Sequence, residues 1–121
     1  MNHSTLKLQG PRIVPVRKIT GYLLDVAHPQ GAGKARFFMA HGFTPEEPEV
    51  LISAIKAHAD VNSVIETQQT QYGTKSMVQC SVQTPDGRNP CVLVVWIRET
   101  GGESQTLVTS YPSAPSVDPS D

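Results

Sequence analysis

Between Lys75 and Arg98 two stretches of β-type sequence flank a single turn. Lys75 to Gln83 alternates, with Met77, Gln79, Ser81 and Gln83 on one side and Val78, Cys80 and Val82 on the other, which predicts a strand whose Val78–Cys80–Val82 face is buried. Pro85-Asp86-Gly87-Arg88-Asn89-Pro90 suits neither helix nor strand and reads as a turn. Cys91 to Arg98 is almost continuously apolar, the pattern of a central strand covered on both faces. Gly101-Gly102 marks another hairpin turn and Gln105 to Tyr111 a last strand, while Val64 to Gln68 reads as a short strand before the turn at Tyr72-Gly73-Thr74. Four hairpin-linked strands need a cover, and the first half of the chain must supply it.

That half reads as helices. Arg12 to Val16 is a short extended piece, and Pro15 argues against a central strand. Lys18 to Leu24 places Ile19, Tyr22 and Leu23 at helical spacing, so a short helix or turn is expected there. Asp25 to Gly33 is a loop, and Lys34 to His41 is a helix ended by Gly42. The firmest helix begins with Thr44 as N-cap, Pro45 at its first position and a Thr44-x-x-Glu47 capping box, with Phe43 as a hydrophobic staple. Its apolar stripe is Val50, Leu51, Ala54, Ile55 and Ala59, with Lys56 and His58 off the stripe or near its end. Helices first and strands after predict an α+β fold, N-terminal helices packed on a roughly four-stranded antiparallel sheet. Residues 1–11 are expected to be a flexible N-terminus, 12–112 the single domain and 113–121 a disordered tail rich in Pro and Ser.

The 121 residues suit one core and are too few for two. The longest apolar run, Cys91 to Ile97, falls far short of the ~20 residues that cross a membrane, and Met1 to Gly10 has no signal-peptide core, so a cytoplasmic protein with no membrane partner is expected. The net charge of -1 hides a gradient. Residues 1–40 hold six basic side chains against Asp25, and residues 41–70 hold five acidic ones against Lys56. A basic first third can offer a local anion site on a slightly acidic molecule.

Familiar chemical signatures are missing. Cys80 and Cys91 have no metal-site spacing and make at most one bridge; they flank one turn and could face each other across a hairpin, with two reduced, packed thiols expected. His28, His41 and His58 form no H-x-x-x-H pair, so neither a metal nor another cofactor is expected. Gln30-Gly31-Ala32-Gly33-Lys34 lacks P-loop spacing, but it is a glycine-rich turn that ends in a lysine at a helix start, a place that favours an anion.

Lys18-Ile19-Thr20-Gly21-Tyr22-Leu23-Leu24-Asp25, Ala27-His28-Pro29, Gly31-x-Gly33-Lys34-Ala35-Arg36-Phe37-Phe38 and His41-Gly42-Phe43 together resemble a small family of uncharacterised bacterial domains. Tyr72-Gly73-Thr74-Lys75, Thr84 to Pro90, Val95-Trp96-Ile97 and Leu107-Val108-Thr109-x-Tyr111-Pro112 extend the likeness, which covers Lys18 to Pro112. More distantly, helices followed by four antiparallel strands and a Thr-x-Tyr-Pro segment resemble the fold of barnase, RelE and colicin-type ribonuclease toxins.

The distant resemblance implies a toxin-like, metal-independent ribonuclease of a toxin–antitoxin or polymorphic-toxin system, with RNA and a cognate antitoxin or immunity protein as partners. His28 would be the acid/base group, with Lys34 and Thr109 beside it as catalytic residues. Lys18, Lys75, Arg88 and Tyr111 would bind phosphate or base. The alternative is a non-enzymatic protein-binding module, which the acidic net charge also suits, because nucleic-acid binders are usually basic.

Overall fold

A computed structural model describes residues 6–113. Its elements are β1 (Arg12–Ile13), α1 (Val16–Lys18) running into a π-helical turn (Ile19–Leu23), α2 (Ala32–Ala40), α3 (Pro48–Val61), β2 (Ser63–Thr70), β3 (Gly73–Ser81), β4 (Cys91–Glu99) and β5 (Gln105–Pro112). The architecture is α+β, as the order of helical and strand-like sequence predicts. The sheet has five strands in the order β1-β5-β4-β3-β2. Four are antiparallel neighbours, and β1 joins β5 in parallel through Arg12↔Gln105 and Ile13↔Thr106. Two residues between Pro11 and Pro15 are too short for a periodic signal, so this fifth strand was not expected.

The core lies between the sheet and the helices. Val78, Val92, Val94, Trp96 and Leu107 face Ile19, Leu23, Phe38, Leu51 and Ile55, all essentially inaccessible to solvent. On β4 Val92, Val94 and Trp96 are fully buried on the helix side; on the other side Val95 is buried, whereas Cys91, Leu93 and Ile97 are half-buried. The apolar run therefore has full cover on one face, not the two expected of it.

Three local expectations change. The helix expected from Thr44 begins one turn later: Glu47 is its N-cap and Pro48 takes the first position. A residue before proline is pushed out of the helical region, and Glu47 sits at φ -130°, ψ 66°. Phe43 consequently belongs to the end of α2. Gly42, at φ +103°, bonds Met39 O at 3.0 Å, and Phe43 N–H bonds Phe38 O at 3.2 Å while its ring packs 6.0 Å from that of Phe38. This is a Schellman motif with its hydrophobic contact. On α3 the buried residues are Leu51, Ile55, His58 and Ala59, so His58 lies in the core and Val50 outside it.

The third change is Cys80, which is half-buried between the buried Val78 and Val82 because its backbone leaves the extended region. At the N-terminal end, Leu6 to Pro11 is held against the sheet. Leu8 is buried, Leu6 O accepts from Val64 N–H at 2.9 Å, and Pro11 O accepts from Gln105 N–H at 2.7 Å. Of the expected tail, Ser113 is still attached, its N–H donating to Cys91 O at 3.1 Å; residues 114–121 lie outside the described residues. No helix among the described residues is long and apolar enough to cross a membrane.

Candidate functional site

An open cleft of about 390 Å³ lies beside β5, lined by Lys18, Tyr22, His28, Gln30, Val108 and Thr109, with no carboxylate among them. It is built where the first helices meet the last strand. The π-helical turn, closed by Leu24 N–H to Ile19 O at 2.7 Å, sends Ile19, Leu23 and Leu24 into the core and leaves Tyr22 half-buried on the β5 side. The strand contributes its own irregularity: between Thr109, opposite Val95, and Leu107, opposite Trp96, Val108 is an extra residue. Such a bulge re-aims nearby groups. The Val108 carbonyl accepts from Lys18 Nζ at 3.0 Å, and the Thr109 hydroxyl meets that of Tyr22 at 2.9 Å.

Tyr22 is the hub. Lys18 Nζ and Lys34 Nζ lie 5.5 and 5.6 Å from its ring centroid, within cation–π range, and the His28 ring meets it edge-on at 5.0 Å. Lys34 also donates to Gln30 O at 3.2 Å. Gly31 makes this packing possible, because a Cβ there would strike the backbone and ring of Tyr22.

The loop also orients His28. Its Nδ1 accepts from the N–H groups of Gln30 and Gly31, both at 3.0 Å. A ring nitrogen that accepts carries no proton, so in the neutral imidazole the proton sits on Nε2, and the ring acts as a donor through that atom.

The remaining sequence candidates stand elsewhere. Arg88 is held in the β3–β4 loop, its Nε 2.6 Å from Asp86 Oδ2 and its guanidinium donating to Ala40 O at 2.8 Å. Ala40 ends α2, whose first turn carries Lys34, so Arg88 caps the far end of that helix. Lys75 lies opposite Gln68 and Ile97, on the sheet face away from the helices. Tyr111 lies opposite Leu93, two residues along β5 from Thr109, and is 37% exposed. The structure thus gathers His28, Lys18, Lys34 and Thr109, and does not bring Lys75 or Arg88 to them. Tyr22 and Gln30 were missed. Tyr22 reads as a core residue from its helical spacing, and only its hydroxyl hinted at a second role.

No group of three or more His, Cys, Asp or Glu side chains that could hold a metal occurs among the described residues.

Residues 9–114 match the family model of a domain of unknown function, DUF6883. The chain belongs to the DUF6883 family. The match includes every residue of the cleft. Comparison with curated proteins gives no match for this DUF6883 domain. Among solved structures, it is similar to a chain of a contact-dependent growth inhibition toxin–immunity protein complex from Klebsiella pneumoniae 342, with a TM-score of 0.68 and 15% identity, covering 84% of this chain and 99% of that one. At that identity the likeness is one of fold.

Proposed function

We propose that this DUF6883 domain is a toxin-like, metal-independent ribonuclease. The observation that carries the reading is the open cleft where Lys18 and His28 meet Tyr22 and Thr109 with no carboxylate in its lining, and where Lys34 lies against the same Tyr22 ring. In the reaction the ribose 2′-hydroxyl attacks the adjacent phosphorus and the bond to the 5′-oxygen breaks, leaving a cyclic phosphate and a 5′-hydroxyl. The proton of the nucleophile passes to solvent water, which reaches the open cleft, and water returns one to the leaving oxygen. Lys18 and Lys34 would offset the growing phosphate charge, while His28 Nε2–H and the hydroxyls of Thr109 and Tyr22 would bond its oxygens. The tautomer held by Gln30 and Gly31 shifts the role of His28 from proton shuttle toward phosphate stabilisation. The fold shared with a chain of a toxin–immunity complex supports the toxin-like part, and a cognate immunity protein is the partner it implies.

Purified protein incubated with total RNA in EDTA tests this, beside His28→Ala and Lys34→Ala. Cleavage that leaves cyclic phosphate ends and falls about 10- to 1,000-fold in each variant is the expected result. No cleavage by the wild type, or cleavage by both variants at the wild-type rate, rejects the assignment.

The exposed sheet face favours a second reading, a protein-binding module. Met77, Leu93 and Ile97 are half-buried there, and Tyr111 is exposed. Co-purification of a small partner that Leu93→Asp abolishes, in a protein silent toward RNA, would establish it.

A further inference from the structure

β2 is the outermost strand on its side of the sheet. Among the described residues its outer edge meets another segment at Val64, whose N–H donates to Leu6 O at 2.9 Å. From Ile65 to Thr70 the backbone groups that do not face β3 have no neighbouring strand there. Edges of this length are commonly guarded by a lysine, a proline or a covering segment. Ser63–Thr70 contains neither lysine nor proline, and its one charge is Glu66. The register shifts between Val64 and Glu66, where Ile65 is an extra residue.

The two ends of this edge are unlike and complementary. At the bulge, Leu6, Val64, Ile65, Glu66 and Thr67 line an open notch of about 280 Å³, in which Leu6 is 57% and Ile65 54% exposed. At the other end, in the turn to β3, Tyr72 is 70% exposed. An apolar notch and an aromatic ring thus flank the same unpaired strand.

We propose that two copies of this chain associate by antiparallel pairing of β2 with β2, about a two-fold axis at Gln68. The same patch then serves both copies, as a two-fold interface requires. With Gln68 opposite Gln68, Thr67 meets Gln69 and Glu66 meets Thr70, so no like charges face each other. The same register sets position 72 of one copy opposite position 64 of the other. Each Tyr72 is thereby brought to the Leu6–Ile65 notch of the second copy, and the contact is made twice. The bulge ends the pairing and does not prevent it, because it bends the strand beyond Glu66 and leaves Ile65 to receive the ring. Both sheets join into one of ten strands, and the cleft beside β5 lies three strands from the junction in either copy. The association is therefore independent of the ribonuclease reading. Five paired residues and two rings make an interface of the small, transient class, with a dissociation constant on the order of 100 μM.

Sedimentation equilibrium of the full chain, from about 5 μM to about 1 mM, tests this by following the monomer–dimer ratio. Tyr72→Asp and Gln68→Lys should each weaken the dimer by about 10-fold or more. Both side chains are exposed, so the dilute variants should melt within about 2 °C of the wild type. Gln68→Glu alone should weaken the dimer as Gln68→Lys does, since each puts like charges together on the axis. An equimolar mixture of the two should dimerise again, because unlike charges then meet there. A wild type that stays monomeric up to about 1 mM overturns the proposal, whether residues 1–5 of the same chain or nothing at all occupies the edge. A dimer indifferent to both Tyr72→Asp and Gln68→Lys, or a mixture of the charged variants no tighter than either alone, overturns it as well.

Discussion

The hydroxyls of Tyr22 and Thr109 stand 2.9 Å apart although 87 positions separate them in the chain, and this contact joins the first helical segment to the last strand. It is half-buried, where a hydrogen bond contributes about 1 kcal/mol net. Tyr22→Phe and Thr109→Val should each lower stability by about that amount in urea unfolding, and the double variant by little more than either. Strictly additive losses would show that the hydroxyls do not depend on each other.

The two glycines of the early turn should respond oppositely to alanine. A Cβ on Gly31 runs into Tyr22, so Gly31→Ala must push the His28 loop off the ring and should cost about 1–3 kcal/mol. Gly33 has nothing within 4 Å of an added Cβ and lies inside α2, so Gly33→Ala should be neutral or stabilising by up to about 1 kcal/mol. Thermal melts of the two variants decide the matter, and equal losses would contradict this account of the turn.

His58 makes stability depend on pH. Burial lowers its pKa below the ordinary 6.5, outweighing the hydrogen bond its ring donates to Cys80 O. Above 6.5 neither the folded nor the unfolded chain holds the extra proton there, and the stability is fully present. As pH falls below that value the unfolded chain binds the proton first, so stability should drop by up to about 1.4 kcal/mol per pH unit. Urea unfolding between pH 7.5 and 5 should show a shallower slope for His58→Gln; identical slopes would assign the dependence to other groups.

Asp86 organises the β3–β4 loop. The Thr84 hydroxyl, then the backbone N–H and guanidinium of Arg88, hold its carboxyl well below the usual carboxylate range. Asp86→Ala should release Arg88 from both Asp86 and Ala40, and tryptic cleavage after Arg88 should accelerate several-fold with little change in the rest of the digest. An unchanged rate would mean that Ala40 alone holds the arginine.

What could be read in advance depended on how local the cause was. The end of α2 at Gly42 and the strands flanking Pro85–Pro90 follow from residues a few positions apart, and they lie where the sequence pattern puts them. The start of α3 was misplaced because two prolines, Pro45 and Pro48, both suit a first helical position, and the competition between them is not visible in a capping pattern. Cys80 was assigned to a buried face because alternation assumes a regular strand, and the bonds from His58 and Asn62 that disturb it come from another element. Of the candidate site, His28, Lys18, Lys34 and Thr109 came from residue chemistry and resemblance, while Tyr22 was hidden by its core-like spacing.

The sequence by itself determined the kinds of element and their order, because hydrophobic period and turn chemistry act between neighbours along the chain. Only the tertiary structure decided that Tyr22, with two lysines against its ring, reaches Thr109 beside the bulge, and that Arg88 caps a helix at a distance from it. Those outcomes depend on which faces the core buries and how the strands register, and both are properties of the packed molecule.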